Sequence, residues 1–273
     1  MLTTSPYSEA VVAPDSSEVY VKRAPLAPPD YLVWEATGLR WLRQAESNGG
    51  ARVVAVLGIA DSSLHLARLH PVSPSEAAAG DFGRRLARLH ASGAASFGAP
   101  PAGWHGDGYF GPADDPLALH LGGHSQWGAH LAEDRLRPIS RVCRAAGTLP
   151  PATCDALDEL ADRCLAGDFD TGERPARIHG DLWSGNVLWT SAGVTLIDPA
   201  AHGGHRELDL AMLALFGAPH LGRIVAAYDE EWPLTDGWRE RQPLHQLYPL
   251  AVHAHLFGGG YAASVAAAAA RLS

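Results

Sequence analysis

The sequence predicts an α+β protein with a small strand-rich N-terminal part and a larger, mainly helical remainder. Three observations carry this. The first seventy residues alternate short β-branched runs with one helical stretch. Most of the chain beyond them repeats apolar residues at helical spacing. The exception is residues 177–200, which read as two short strands entered through a polar loop. The segment 68–80, with Pro71, Pro74 and an Ala/Gly run, marks a hinge between a part at 1–68 and a part at 69–273.

Residues 17–24, SEVYVKRA, alternate and are β-branched, so a strand is expected with Lys22 near its end. Residues 11–13 would pair with it across a turn at 14–17, and Pro25, Pro28 and Pro29 stop it. Residues 30–46 carry Leu32, Glu35, Leu39 and Leu42 at helical spacing, with Asp30 in the N-cap position. Residues 52–59 and 63–69 read as two further strands and 80–91 as a helix. The stretch 92–125, rich in Gly, Pro, His and Asp, is a long connection, expected to be a lid or a strap over the second part. A helix over 125–146 puts Trp127, Leu131 and Leu136 on one side, and 153–165 form another. Within 177–200, NVLWT and VTLID are strands joined by SAG. Residues 205–216 are helical, and a mixed helical region runs to the end. The Ala-rich stretch 250–271 carries His253, His255 and three consecutive glycines, so it reads as a buried helical element and not a membrane span.

Composition narrows the function. Lys and Arg total 21 against 30 Asp and Glu, for a net charge of −9, which excludes a sequence-independent nucleic-acid binder and disfavours docking on anionic membranes. Cys143, Cys154 and Cys164 are too few for a disulfide scaffold and are not spaced as a zinc knuckle. The opening MLTTSPYSEAVV lacks a basic segment followed by an apolar run, and a reducing, cytoplasmic setting is expected. The 29 glycines and 20 prolines reflect a compositional bias, so a single Gly or Pro is a weak signal here.

The chemistry concentrates in His179-Gly180-Asp181, in Asn186 five residues beyond Asp181, and in Asp198-Pro199 twelve beyond Asn186. A hairpin returns to its start, so Asn186 and Asp198 are expected to be neighbours. An amide oxygen and a carboxylate suit Mg²⁺, which takes hard oxygen ligands and keeps waters and substrate phosphates. Asp181, on the same loop, would receive or orient the proton of a hydroxyl nucleophile, as in phosphoryl transfer. A polar turn would account for Asp181 alone but not for the three residues at this spacing. Lys22 would meet the α- and β-phosphates. Glu35, on the following helix, would hold it, because a buried carboxylate needs a partner. The plain alternative is a solvent-facing Lys and Glu.

At these residues the chain resembles the fructosamine kinase (ketosamine-3-kinase) family, which has the protein-kinase-like fold alongside aminoglycoside and choline kinases. The resemblance rests on HGDLWSGNVLW from His179, LIDPAAHGGHRELDLAM from Leu196, QLYPLAVHAHLFGGGY from Gln246, and YVKRA with WEATGLRWL near the start. It spans about residues 8 to 262. It implies a two-lobed fold, with a small antiparallel-sheet lobe at 1–68 for the nucleotide and a helical lobe at 69–273 for catalysis and substrate. It implies Asp181 as catalytic base, Asn186 and Asp198 as metal ligands, Lys22 and Glu35 as the nucleotide-anchoring pair, and ATP and Mg²⁺ as cofactors. The implied reaction is phosphorylation of a fructosyl-, ribulosyl- or erythrulosyl-amine at the sugar 3-hydroxyl, free or on a protein lysine, in deglycation. A kinase of the same fold acting on an aminoglycoside or amino sugar is the alternative, as is a non-catalytic nucleotide-binding relative. Where family members carry a glycine-bearing turn, this chain reads PYSEAVV.

Other residues have secondary roles in this reading. Asp209 is expected to brace the catalytic-loop backbone, with Arg206 and Glu207 bracing similarly. Glu207 and Asp209 are also carboxylates that could receive a substrate ammonium. His202 and His205 flank two glycines as in a flexible substrate-side loop, with no third metal ligand evident. Trp183 would either wall the sugar or pack the loop down. Trp127 is a weaker candidate for the substrate cleft, and His179 orients the loop and is not the base.

Overall fold

Alternation at the start of the chain sets the first sheet. In the computed structural model, which describes residues 18–60 and 62–272, β1 (Val19–Arg23) leads through a proline-bearing turn into α1 (Tyr31–Arg43). The expected hairpin partner at 11–13 and the PYSEAVV stretch lie outside the described residues. Asp30 precedes α1 but does not cap it with its side chain. Its carboxylate instead accepts the Tyr109 hydroxyl.

The run 52–59, expected as one strand, divides. β2 (Arg52–Val53) pairs in parallel with a strand of the later hairpin, and Val54 N–H continues that pairing to the Leu196 carbonyl at 3.0 Å. The chain then crosses into β3 (Val56–Ala60) and returns as β4 (Ser63–Ala67), which lies between β1 and β3 with both neighbours antiparallel. One apolar run thus serves two sheets. Period-2 alternation cannot reveal such a crossing, because every residue stays extended.

α2 (Glu76–Ala91) starts before the expected residue 80, since the alanines at 77–79 are strong helix formers and the Ser75 hydroxyl accepts the Ala78 N–H. The 92–125 connection holds a short hairpin not expected from the sequence, β5 (Gly108–Phe110) with β6 (Leu117–Leu119). It packs on α1. Trp34 Nε1–H donates to the Tyr109 carbonyl at 3.0 Å, and a Cβ on Gly108 would lie 2.5 Å from the Trp34 ring.

The helix expected over 125–146 is continuous but changes gauge. α3 (Trp127–His130) widens into a π-helical turn at Leu131–Leu136 before α4 (Arg137–Ala146). Pro138 gives the reason, as it has no N–H for the Asp134 carbonyl and its ring crowds that carbonyl. An Arg135 guanidinium N–H donates to the Asp134 carbonyl instead, at 3.0 Å.

α5 (Pro151–Ala166) and β7 (Ala176–Ile178) lead to the polar loop. The hairpin β8 (Val187–Thr190) and β9 (Gly193–Leu196) comes next, with Ser191-Ala192 as its two-residue turn. β10 (His202–Gly204) then pairs antiparallel with β7. The segment expected to be a flexible glycine loop is therefore a buried strand. A Cβ on Gly203 would sit 2.2 Å from the Ser96 carbonyl, and one on Gly204 2.3 Å from the Ile178 side chain, so these glycines serve close packing and not mobility. α6 (Glu207–Leu215), α7 (Leu221–Glu231), α8 (Trp238–Phe257) and α9 (Tyr261–Ala270) complete the chain. Gly258 and Gly259, at φ 62° and 64°, break the expected 250–271 helix between α8 and α9. No helix among the described residues is long and apolar enough to cross a membrane.

Two cores result, with α1 between them. Leu39 and Leu42 join Leu64, Phe82, Leu86, Leu196 and Leu210, whereas Trp34 joins Phe110, Trp127, Leu136, Leu157 and Leu247. α2 and α7 meet at Gly83, where an added Cβ would lie 2.2 Å from the Ile224 carbonyl. Gly83→Ala should therefore destabilise by about 1–3 kcal/mol although alanine is the better helix former. Gly222→Ala, whose methyl meets nothing within 4 Å, should be neutral or slightly stabilising. Urea melts of the two variants check the pair.

His205 supplies a pH test. Burial pushes its pKa down from 6.5 to about 3, with the neighbouring His245 adding to the effect. Its folded-state pKa is depressed, so the unfolded chain binds one more proton between those limits. The stability this residue confers is intact above pH 6.5 and is lost as pH falls toward 3. Across pH 6 to 4 the gap between wild type and His205→Asn should close by about 1.4 kcal/mol per pH unit. Urea titrations in that range measure it, and parallel pH dependences for the two proteins would refute the assignment.

Candidate active site

The loop after β7 is held by its backbone. Gly180 has φ 82°, and a Cβ there would lie 2.2 Å from the Ala200 carbonyl, so no other residue fits. Asp209, at the start of α6 and without solvent exposure, accepts the N–H groups of His179 at 2.8 Å and Gly180 at 3.0 Å. Its Oδ2 is also 3.0 Å from His90 Nε2, and His90 Nδ1 is 2.8 Å from the Tyr228 hydroxyl. Burial alone would raise the Asp209 pKa, but the His90 bond and the His179 contacts hold it below the usual carboxylate range. Asp209 thus sits where a brace is required and is closed to any substrate. His90 and Tyr228 extend this brace into α2 and α7. No sequence signal marked them beyond their being two polar residues on helices.

His179 is wedged behind the loop. Its Nε2 lies 2.8 Å from the Ile197 carbonyl and therefore carries the proton, which leaves Nδ1 to accept the Asp181 N–H at 3.3 Å. Both ring nitrogens are engaged in orientation.

The hairpin closes the other side. Pairing of Val187 with Leu196 brings Asn186 level with Ile197, whose N–H donates to the Asn186 carbonyl at 3.2 Å. The Asn186 side-chain N–H₂ donates to the Asp181 carbonyl at 2.8 Å, to Asp181 Oδ2 at 3.1 Å and to the Asp198 carbonyl at 3.3 Å. Asp198 has φ 51°, the left-handed conformation that non-glycine residues seldom adopt. Its Oδ1 accepts Lys22 Nζ at 3.0 Å, and the same ammonium donates to Glu35 Oε2 at 2.8 Å. Asp181, Asn186, Asp198, Lys22 and Glu35 therefore form one connected group drawn from β1, α1, the loop and the hairpin.

The electrostatics of this group are strongly perturbed. Burial would lower the Lys22 pKa, but Glu35 and Asp198 outweigh it, and the ammonium stays charged. Burial pushes Glu35 up to about 7 against the pull of Lys22, and its Oε1 is buried with no hydrogen-bond partner. Burial also pushes Asp181 up to about 7, with Asp198 and Asp209 adding to the rise and the Asn186 bond opposing it. For a cation the donor set is all oxygen. The Asn186 amide nitrogen is committed to the loop, which leaves its amide oxygen, and Asp198 Oδ2 makes no part of the Lys22 bond. That chemistry fits a hard divalent ion.

Two cavities meet at this group. One of about 370 Å³ is lined by Val54, Leu66, Leu69, Leu188 and Ile197 and ends at Lys22 and Asp198. The other, of about 300 Å³, shares Lys22 and Asp198 and adds Asp181, Asn186 and Trp183 with Tyr31 and Tyr109 of the α1–strap face. The first has an aliphatic wall beside Tyr20, Arg68 and the Lys22–Asp198 end, whereas the second is aromatic and acidic.

The remaining candidates divide. Trp183, 41% exposed as a residue, lines the second cavity with its ring edge-on to Phe216 and folded over Gly185, where a Cβ would lie 2.2 Å from it. The ring therefore packs against the helical part and also lines the second cavity. Glu207, Trp127, His202 and His205 lie elsewhere. Glu207 is buried and accepts Arg241 through both oxygens, at 2.6 and 3.0 Å, with His245 at 3.2 Å, so it cannot receive a substrate ammonium. Trp127 stacks on His245 at 4.7 Å and packs against His205 at 4.6 Å. His202 Nε2 is 3.1 Å from Arg135. These side chains form a buried polar layer away from the cleft, where Arg241 holds the Glu207 carboxylate of α6 and Arg206 holds Glu173.

The sequence model of the fructosamine kinase family matches residues 7–272. A probable ketoamine kinase of Thermus thermophilus is 34% identical over 244 residues, 88% of this chain and 82% of that one. One from Vibrio vulnificus is 30% identical over 229 residues, 83% and 75% of the two chains. Among solved structures, one named “putative fructosamine-3-kinase” from Thermobifida fusca superposes with a TM-score of 0.84 at 43% identity, covering 93% of this chain and 84% of that one. The gentamicin complex of the aminoglycoside phosphotransferase APH(2")-IIa superposes at 0.54 with 10% identity, covering 94% and 85%, which is a likeness of fold. Since the family match runs through nearly the whole chain and not the loop motif alone, this chain is a kinase of protein-kinase-like fold and belongs to the fructosamine kinase family.

Proposed function

We propose that the chain transfers the γ-phosphoryl group of ATP to the sugar 3-hydroxyl of a ketosamine, free or on a protein lysine. The observation that carries this is the pair of cavities joined at Lys22 and Asp198, with Asp181 facing only the second. The aliphatic walls of the first, Val54 and Leu66 of the 1–68 lobe with Leu69 of the hinge, Leu188 of β8 and Ile197 after β9, suit an adenine ring. Lys22, steadied by Glu35, receives the α- and β-phosphates at its inner end. Asn186 and Asp198 are the residues that would hold magnesium. Bound there, the ion would neutralise charge on the β- and γ-phosphates.

Asp181 accepts the proton of the sugar hydroxyl. Its raised pKa makes it a stronger base than an exposed aspartate, and the Asn186 N–H fixes its Oδ2. The loop places it with no moving part, so the gain is mainly one of positioning. Trp183, Tyr31 and Tyr109 give the sugar apolar faces. Asp181 and Asp198 give the substrate ammonium a favourable field, a task for which Glu207 and Asp209 are too deeply paired.

Asp181→Asn should reduce kcat on the order of 10²–10⁴-fold and leave the fold intact, because the substitution removes a carboxylate that burial disfavours. Turnover and a circular-dichroism melt check both halves, and unchanged turnover would falsify the base assignment. Asp198→Ala should abolish magnesium-dependent ATP binding by calorimetry and leave Lys22 with Glu35 alone. With ATP and Mg²⁺, fructosyl-lysine and ribulosyl-lysine should be consumed and NMR should place phosphate on the 3-hydroxyl. Turnover of aminoglycosides in place of both ketosamines would assign the acceptor to the alternative class.

A further inference from the structure

We propose a second metal site, away from the cleft, in which His124, His130 and Asp134 bind one zinc-type divalent ion and tie the 92–125 strap to the helical lobe. His124 Nε2 and His130 Nδ1 lie 3.0 and 2.9 Å from the same oxygen, Asp134 Oδ2. All three ligand atoms fall within 4.8 Å of one another. A tetrahedral ion with bonds of about 2.0–2.1 Å needs donor spacings of this order. Two imidazole nitrogens and a carboxylate oxygen suit zinc and its neighbours far better than magnesium or calcium.

Two glycines pack their backbone closely against these atoms. A Cβ on Gly98 would lie 2.9 Å from His130 Nδ1, 3.1 Å from Asp134 Oδ2 and 2.9 Å from the Gly122 carbonyl oxygen. One on Gly122 would lie 3.1 Å from His124 Nε2 and 3.4 Å from Asp134 Oδ2. The close approach of the three donors therefore depends on the absence of a side chain at both positions. The cluster reaches solvent on one side, since His124 and Asp134 are 23% and 14% exposed while His130 is buried. Water or a further ligand can complete the coordination from that side.

Binding requires only a change of tautomer. Each imidazole now directs an N–H at Asp134. On ligation the proton resides on the opposite ring nitrogen, and no bond to carbon changes. His130 also lines a cavity of about 20 Å³, together with His202 and Tyr248 but without Asp134. The π-helical turn contributes as well, because His130 and Asp134 flank its first turn and their side chains meet there.

A second cluster, His205, Glu207 and His245, also gathers three such ligand atoms. It differs in the decisive respect. Both Glu207 oxygens already accept the Arg241 guanidinium, so a cation would have to displace a buried positive charge. Asp134 Oδ2 accepts hydrogen bonds from the two imidazoles, and the neighbouring buried Arg135 guanidinium bonds to backbone carbonyls and His202 and not to this carboxylate.

The ligands come from two elements. His124 belongs to the strap, where it exchanges backbone bonds with Phe97 at 3.0 and 2.9 Å, and His130 and Asp134 belong to the helix. An ion there fastens the strap that supplies Tyr109 to the second cavity.

The experiment uses metal-stripped full-length chain, with Zn²⁺ as calorimetric titrant and Co²⁺ as optical probe. One equivalent of Zn²⁺ should bind, raise the melting temperature, and give with Co²⁺ the intense visible bands of a low-coordinate site with nitrogen ligands. His124→Gln and Asp134→Asn should each weaken binding by at least about tenfold. Asp198→Asn and His205→Asn should leave it unchanged, which separates this site from the nucleotide centre and from the second cluster. The His124 variant, at a partly exposed position, remains interpretable if the Asp134 variant fails to fold. Absence of a stoichiometric site, or zinc binding that survives His124→Gln, overturns the proposal.

Discussion

Asp209 is the constraint on which the arrangement rests. A carboxylate withdrawn fully from water costs several kcal/mol unless its oxygens are occupied, and here three donors occupy them. Two of those donors are consecutive backbone N–H groups, His179 and Gly180, so the side chain fixes the path of the main chain. That path then dictates where Asp181 emerges. The left-handed turn at Gly180 is possible only without a Cβ, and the fixed turn points the next side chain into the second cavity. One buried charge on α6 thus sets the direction of a reactive group on a different element.

The contacts of Lys22 differ in strength, and the difference is functional. Glu35 is 5% exposed on its side chain and Asp198 is 42% exposed. Breaking a buried pair leaves an uncompensated charge, while an exposed pair is worth about 0–1 kcal/mol. The Glu35 contact therefore persists and the Asp198 contact is cheap to exchange. A nucleotide can take Lys22 from Asp198, and a cation can take Asp198 from Lys22, with little net cost. The group is prepared for ligands because its weaker ion pair spans the junction of the cavities.

Much of this geometry was legible in the sequence because hairpins obey a simple rule. Strands paired from Val187 to Leu196 must bring their flanking residues, Asn186 and Asp198, together. Lys22 was legible for a similar reason, as a short strand ended by Pro25 can place it in few ways. What escaped had other causes. The β5–β6 hairpin has three-residue strands in a glycine- and proline-rich stretch, too short for alternation to show. The widened turn at Leu131–Leu136 depends on Pro138 denying a bond to a carbonyl four residues back. The misreading of 202–205 came from treating glycine as freedom. At Gly203 and Gly204 a missing side chain marks contact with Ser96 and Ile178, a tertiary fact with no local signature.

The two cavities are secured to different degrees, and specificity should track that difference. The first is walled by sheet and hairpin backbone, with β2 sutured to β9 and Val54 N–H bonded to Leu196. The second takes one wall from the loop and the other from the strap. The strap rests on α1 through few groups: the Tyr31 hydroxyl to the Gly111 carbonyl, the Trp34 indole to the Tyr109 carbonyl, and the Tyr109 hydroxyl to Asp30. The two bonds to carbonyls contribute about 0.5–1.5 kcal/mol each and the bond to the Asp30 carboxylate about 1.5–3 kcal/mol, so these polar ties can be changed by a few substitutions without disturbing Asp209 or the hairpin. On the proposed reading, a fold built this way can hold its phosphate chemistry constant while the acceptor pocket changes, because the two cavities have only Lys22 and Asp198 in common among their described lining residues.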